Sequence, residues 1–280
     1  MIVSTTLAGN NEGIIGEALL SIRDHVDRCL VIDTGVTDDT LDVAQMALGS
    51  QLIVRHFPWR EDFGAARNYA LQVAEEAGAT WAVTVDTDER LVFAPGFNLR
   101  EFLSATTVNT VFARTTDRRY SKERAIRLGA GVHWIGYTHE ATNDQPLDEV
   151  TELREVTFDE LEKTDEQKLR NFIRDVPLLR KFIADNPHDA RAYFYLGMSF
   201  YNRGLYAECV EPFLTSAAMY EYQFEGVVAV ERTMKSLWQL GRWEEAVQVV
   251  QAARQARPEA GEFQFFHDIA RSKQRKAARG

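Results

Sequence analysis

Short apolar, β-branched runs alternate with amphipathic helical patterns through about residue 145, an alternation that predicts a sheet with crossover helices. The expected elements are a strand at 2–7, a helix at 13–26, a strand at 29–33, a helix at 40–48 capped by Thr37 or Asp38, a strand at 51–57, a helix at 63–77 and a strand at 81–85. Strands joined in this order by helices are most economically arranged as a mainly parallel sheet. After about Thr151 strands are expected to stop, and helix follows helix to the end. The expected domains are therefore 1–150, α/β, and 151–280, all-α.

The helical half repeats. From Tyr193 onward, Leu196, Gly197, Gly204 and Phe213 stand at the intervals of a tetratricopeptide repeat, with Cys209 where a small residue is expected. Gly204 matches Gly241, and the YAEC segment after Gly204 matches WEEA after Gly241. Pro187 and Pro258 mark helix ends. Because one helix pair cannot bury its apolar face, such a stack needs flanking units, for which 175–184 and 262–276 are suited.

Composition narrows the class. In 280 residues, 45% are apolar, enough for one or two ordinary cores. The 32 basic and 42 acidic residues give a net charge of −10, which argues against a broad surface for nucleic acid or anionic membrane. Cys29 and Cys209 alone cannot build a disulfide framework or a cysteine zinc site. The start, MIVSTTLAGNNEG, reads as a strand and turn rather than a secretion signal, and no segment approaches the ~20 apolar residues of a membrane span. A soluble, cytoplasmic chain is expected, with the basic tail RSKQRKAARG as a solvated end.

Candidate chemistry concentrates in the first half. WAVTVDTDERL ends a strand in Asp86, Thr87 and Asp88, and residues two apart in extended chain face one way. Unpaired, the two carboxylates would repel, so a hard divalent cation, Mg²⁺ or Mn²⁺, is expected between them. Asp33 ends the second strand, and Asn10, Asn11 and Glu12 follow the first, so acids and amides gather where α/β sheets bind ligands. Arg67, early in the helix after the third strand, offers a planar fork for phosphate near helix N–H groups. The bland alternatives are surface acids in a turn and a surface salt bridge.

VIDTGVTDDT, FGAARNYAL and DTDERL, in that order behind a first strand ending in NNE, resemble family 2 glycosyltransferases of the GT-A fold. Bacterial members of one branch carry tetratricopeptide-like helices after the transferase domain, as this chain does. The resemblance implies a Rossmann-like, mainly parallel sheet and a nucleoside diphosphate sugar as donor, UDP before GDP. By its motifs, Asn11, Glu12 and Asp33 face the nucleoside; Arg67, Asn68 and Asp86 face the nucleotide and diphosphate; and Asp86 and Asp88 hold the metal. YSKERAIRLGAGVHWIGYTHEAT resembles the same branch and makes His139 the late metal-completing histidine, with Glu140 favoured over Asp117 as general base. Arg124 and Arg127 are further phosphate candidates.

The implied reaction inverts the anomeric centre, with residues 151–280 binding a protein or peptide acceptor or building a homodimer. Two other enzyme classes fit less well. A sugar nucleotidyltransferase needs a basic Gly-rich loop that AGNNEG lacks, and a dehalogenase-like phosphatase needs its Asp-x-Asp after the first core strand. A non-catalytic tetratricopeptide scaffold with a relic nucleotide domain is the third alternative, against which the joint presence of Asp33, Arg67, Asp86 and Asp88 speaks.

Overall fold

A computed structural model describes residues 1–143, 146–220 and 224–278. The last two residues of the basic tail lie outside them. The chain divides into two compact units, Met1–Lys163 and Thr164–Gly280.

The first unit is built on strands β1 (Ile2–Ala8), β2 (Arg28–Asp33), β3 (Leu52–His56), β4 (Trp81–Thr84), β5 (Glu89–Phe93), β6 (Thr110–Thr115), β7 (Ser121–Arg127) and β10 (Val150–Glu160), in the order β3-β2-β1-β4-β7-β6-β10-β5. The first four are parallel. β7 and β5 run against their neighbours, and β10 is parallel to β6. A separate ribbon pairs β8 (Trp134–Ile135) with β9 (Ala141–Thr142).

The central strands are buried at nearly every position, including Ser4, Thr5 and Thr6 of β1, because both faces are covered, as parallel sheets require. Ile2, Cys29 and Val31 pack with Ile15, Leu19 and Ile22 of α1 (Ile15–Arg23) and Ala44 of α2 (Thr40–Leu48). Their sequence neighbours Val3, Leu30 and Ile32 point the other way, onto Ala66, Ala70 and Ala74 of α3 (Phe63–Glu76), while α4 (Leu99–Ala105) adds Leu99 and Leu103 to the first core. Each large aliphatic side chain so buried contributes about 1.5–3 kcal/mol.

Expected and observed elements agree through β4 and then part. Strands do not stop at Thr151: β10 lies inside the sheet, between β6 and β5, and the compact units divide after Lys163, beyond the expected boundary at 150. Its alternation is interrupted because the register with β6 shifts between Leu153 and Thr157, so buried Leu153, Val156 and Phe158 do not keep one period-2 spacing.

The second unit runs through α5 (Asp165–Asp185), α6 (Ala190–Asn202), α7 (Tyr206–Met219), α8 (Phe224–Gln239), α9 (Trp243–Ala256) and α10 (Gly261–Ala277). Thr164 and Gln167 form a capping box at the start of α5. Gly204 and Gly241, matched in sequence, adopt the same left-handed conformation, φ +71° and +70°, in the turns before α7 and α9. Among the described residues, no helix is long and apolar enough to cross a membrane.

Candidate active site

β1, β2 and β4 are parallel neighbours, so their C-terminal ends share one edge of the sheet. The loops after β1 and β2 are laced together there. Asn10 accepts from the Thr37 amide (2.8 Å), the Asn11 amide donates to the Thr40 hydroxyl (2.7 Å), and Glu12 accepts from the Asp39 amide (3.1 Å). Asp38, one of the two expected caps, accepts from the Thr40 amide at 3.0 Å, but the cap position itself falls at Asp39, whose side chain makes no capping bond. Asp33 accepts from the amides of Gly35 and Val36, both at 2.8 Å, and stands 3.3 Å from His56 Nδ1. Burial raises its pKa, but these donors outweigh burial and the net shift is downward.

The Asp-x-Asp motif is not extended. After Thr84 the chain turns, closed by the Glu89 amide donating to the Asp86 carbonyl at 3.0 Å, so the expected same-face alternation does not apply. Instead the two acids meet different cations. Asp86 Oδ1 is 2.7 Å from Arg67 and its Oδ2 is 3.8 Å from Lys122; Asp88 Oδ2 is 3.1 Å from Lys163. Neither is unpaired, so the repulsion that called for a metal is already relieved by the protein's own side chains.

Beneath the turn lies Glu89, which is fully buried and was not singled out in the sequence. It pairs with Arg124 (2.7 Å) and Lys122 (2.7 Å) and accepts from the Asp86 amide (3.1 Å), pinning the turn from below. Arg124 is therefore a buried structural cation, lying against the Phe158 ring, rather than a phosphate contact. Arg127 donates to the carbonyls of Thr106 and Val108 and lies over Trp81, so it too is structural. The signal for Glu89 was available in principle, as an acid beginning a strand beside two others.

Arg67 is the hub of the site. Its Nη2 meets Asp86 at 2.7 Å, its Nε meets Glu140 at 2.5 Å, and its guanidinium lies over the Trp134 ring, 5.1 Å from the centroid. Burial opposes its charge, but the two carboxylates override this and raise its pKa. Asp86 is shifted the opposite way: burial raises it, and Arg67, Lys122 and Arg124 together pull it well below the usual carboxylate range.

Asn68 exchanges two hydrogen bonds with the Trp134 main chain, at 2.9 and 2.8 Å, which ties the following loop to α3. The start of α3 is not open to an anion. Phe63 and Gly64 amides donate to the carbonyls of Tyr137 and Gly136, and Ala65 donates to Asp62. That loop delivers Glu140 to Arg67. His139, beside it, is exposed in left-handed backbone at φ +51°. Asp117 lies exposed in the turn between β6 and β7, paired with Arg119, and none of its described contacts reaches Asp86 or Asp88.

Among the described residues, no three His, Cys, Asp or Glu converge as a metal site, His139 included. Two carboxylates nevertheless suit Mg²⁺ or Mn²⁺, which complete their shells with water and phosphate oxygens. Asp86 and Asp88 fit that donor chemistry, although Lys163 lies against Asp88.

Residues 6–146 match glycosyl transferase family 2, and residues 176–222 and 234–266 match a tetratricopeptide repeat. The glycosyltransferase SunS of the SPβ prophage of Bacillus subtilis is 27% identical over 139 residues, 47% of this chain and 32% of SunS. A TPR repeat-containing protein of Synechococcus elongatus is 37% identical over 90 residues, 32% of this chain and 21% of that protein. This chain thus spans less than a third of either relative. Among solved structures, TarS 1–349 of S. aureus in complex with UDP-GlcNAc aligns over 99% of this chain and 92% of that one, at 12% identity and a TM-score of 0.46. With its matched domain filling half of the sequence, the chain belongs to glycosyl transferase family 2 and carries tetratricopeptide repeats behind that domain.

Proposed function

We propose that this protein is an inverting hexosyltransferase that moves a sugar from a nucleoside diphosphate sugar, UDP-linked before GDP-linked, to a protein or peptide acceptor in the cytoplasm. The observation that carries this reading is Arg67, held between Asp86 and Glu140 at the C-terminal edge of the family-matched sheet. Asp33 and the laced loop of Asn11 and Glu12 take the nucleoside, and Asn68 supports the site by fixing the loop that carries Glu140.

In the reaction, an acceptor hydroxyl or thiol attacks the anomeric carbon as the bond to the diphosphate oxygen breaks, and the electron pair leaves on the diphosphate. Arg67 and Lys122 lie where that developing charge is neutralised. The acceptor proton passes to a carboxylate, which we assign to Glu140, since of the two candidates it is the one in contact with the hub arginine. Asp86 and Asp88 would hold a divalent ion, which when bound would supply Lewis-acid stabilisation of the leaving group; the expected third ligand, His139, does not converge with them. The helical unit is assigned to acceptor recognition, homodimerisation being its alternative use.

The test is titration of UDP and GDP, with and without Mn²⁺, against wild type and Asp88→Ala. Metal-strengthened UDP binding that is lost in the variant is expected. No binding of either nucleotide under any condition would favour the scaffold alternative.

A further inference from the structure

The two acids of the turn are neutralised in unlike ways. Asp86 is held by Arg67, only 12% exposed, and by Lys122, itself anchored 2.7 Å from the fully buried Glu89. These partners are built in. Asp88 depends on Lys163, whose ammonium lies 3.1 Å from Asp88 and 3.2 Å from Glu160, on a side chain 35% exposed. Lys163 stands in the short irregular stretch between β10 and α5, where no strand or helix fixes its backbone. Its four-carbon stem lets the ammonium swing away at modest cost, unlike a planar guanidinium clamped by two acids.

A divalent ion binding Asp88 from the same side cannot share that carboxylate with an ammonium about 3 Å away, because like charges at such range repel by several kcal/mol even at an effective dielectric of ~20. The ammonium has to leave, and Glu160 alone is a poorer site for it. A nucleoside diphosphate provides what is missing, an anion of two or more charges at the same edge.

We propose that Lys163 is the internal counter-ion that a divalent cation must displace from Asp88, and that the displaced ammonium is taken up by the donor diphosphate. Metal and nucleotide then bind with positive cooperativity, since each removes a cost that the other meets alone. Lys163 is a donor-binding residue in this account. The inference rests on the donor-site assignment above.

The experiment titrates Mn²⁺, read from the paramagnetic resonance of free ion, into the full chain with and without saturating UDP. It uses wild type, Lys163→Met and Lys163→Arg. Without nucleotide, Lys163→Met is expected to bind Mn²⁺ about 5-fold more tightly than wild type, the factor matching loss of one partly exposed ion pair. Lys163→Arg, which keeps the charge, stays near wild type. The tightening of Mn²⁺ binding by UDP shrinks by a similar factor in Lys163→Met. Equal or weaker Mn²⁺ binding by Lys163→Met overturns the proposal, and it does so alone if UDP still strengthens Mn²⁺ binding in wild type. Absence of Mn²⁺ binding in every form, with UDP or without, overturns both this proposal and the metal assignment beneath it.

Discussion

Asp86 stays ionised because Arg67 and Lys122 outweigh the burial that would otherwise protonate it. A carboxyl whose folded pKa lies below its unfolded value stabilises the fold fully above the unfolded value, ~3.9, and loses that contribution as pH falls toward the folded one. Asp86→Asn should therefore be less stable than wild type by roughly 1–2 kcal/mol at neutral pH, since Arg67 keeps Glu140 but loses a charged partner. Thermal melts from pH ~8 to ~2 check this: the gap should be flat down to pH ~5 and close below pH ~4. A gap that instead widened in acid would mean that Asp86 is not the depressed group. Read as sequence, Asp86, Asp88 and Arg67 stood out by type and spacing. Of their three-dimensional partners, Glu140 was marked only as a candidate base, and Lys122 and Lys163 not at all, because all three are supplied by distant segments.

At the scale of elements, the site depends on how closely α3 meets the loop before β9. A Cβ on Gly64 would lie 2.7 Å from the Gly136 carbonyl oxygen, and that oxygen already accepts from the Gly64 amide at 3.1 Å. Backbone cannot retreat as a side-chain tip can. Gly64→Ala is expected to destabilise the protein by about 1–3 kcal/mol, as overpacking does, measured by urea unfolding. It should also weaken UDP binding, because the displaced loop carries Glu140 away from Arg67. The same logic of close approach recurs in the helical unit, where a Cβ on Gly197 would fall 2.5 Å from the Phe213 ring. Both of those residues were already marked in sequence by their repeat positions, whereas nothing in sequence connects Gly64 with Gly136.

For the whole molecule, β10 decides where the chain can be divided. It supplies the only described strand partner that β5 has, and β5 begins with the Glu89 that pins the turn of Asp86 and Asp88. A fragment ending at residue 150 loses that strand and leaves β5 detached, so it should fail to fold cooperatively. A fragment of residues 1–163 keeps the eight-stranded sheet and Lys163. Circular dichroism and UDP titration should find it folded, with nucleotide affinity within about 3-fold of the full chain, a difference of under about 1 kcal/mol. Transfer to the acceptor should be lost. Loss of donor binding in a folded 1–163 fragment would show that the helical unit serves the donor site instead.

What the sequence determined by itself is what depends on local pattern. The alternation of strand and helix through β4 and the paired glycine turns of the repeats follow from period and residue type over short windows. Tertiary structure decided the rest. Strands β7 and β10 carry many charged residues, and β6 shifts register against both of them, so the sheet membership of these three becomes visible only when neighbours are in place. The same holds for the charges of the site: Asp86 and Asp88 were legible as acids, but which cation neutralises each is a matter of long-range geometry. An ion pair forms between side chains brought within a few ångströms by the fold, and one-dimensional spacing contains no record of that distance.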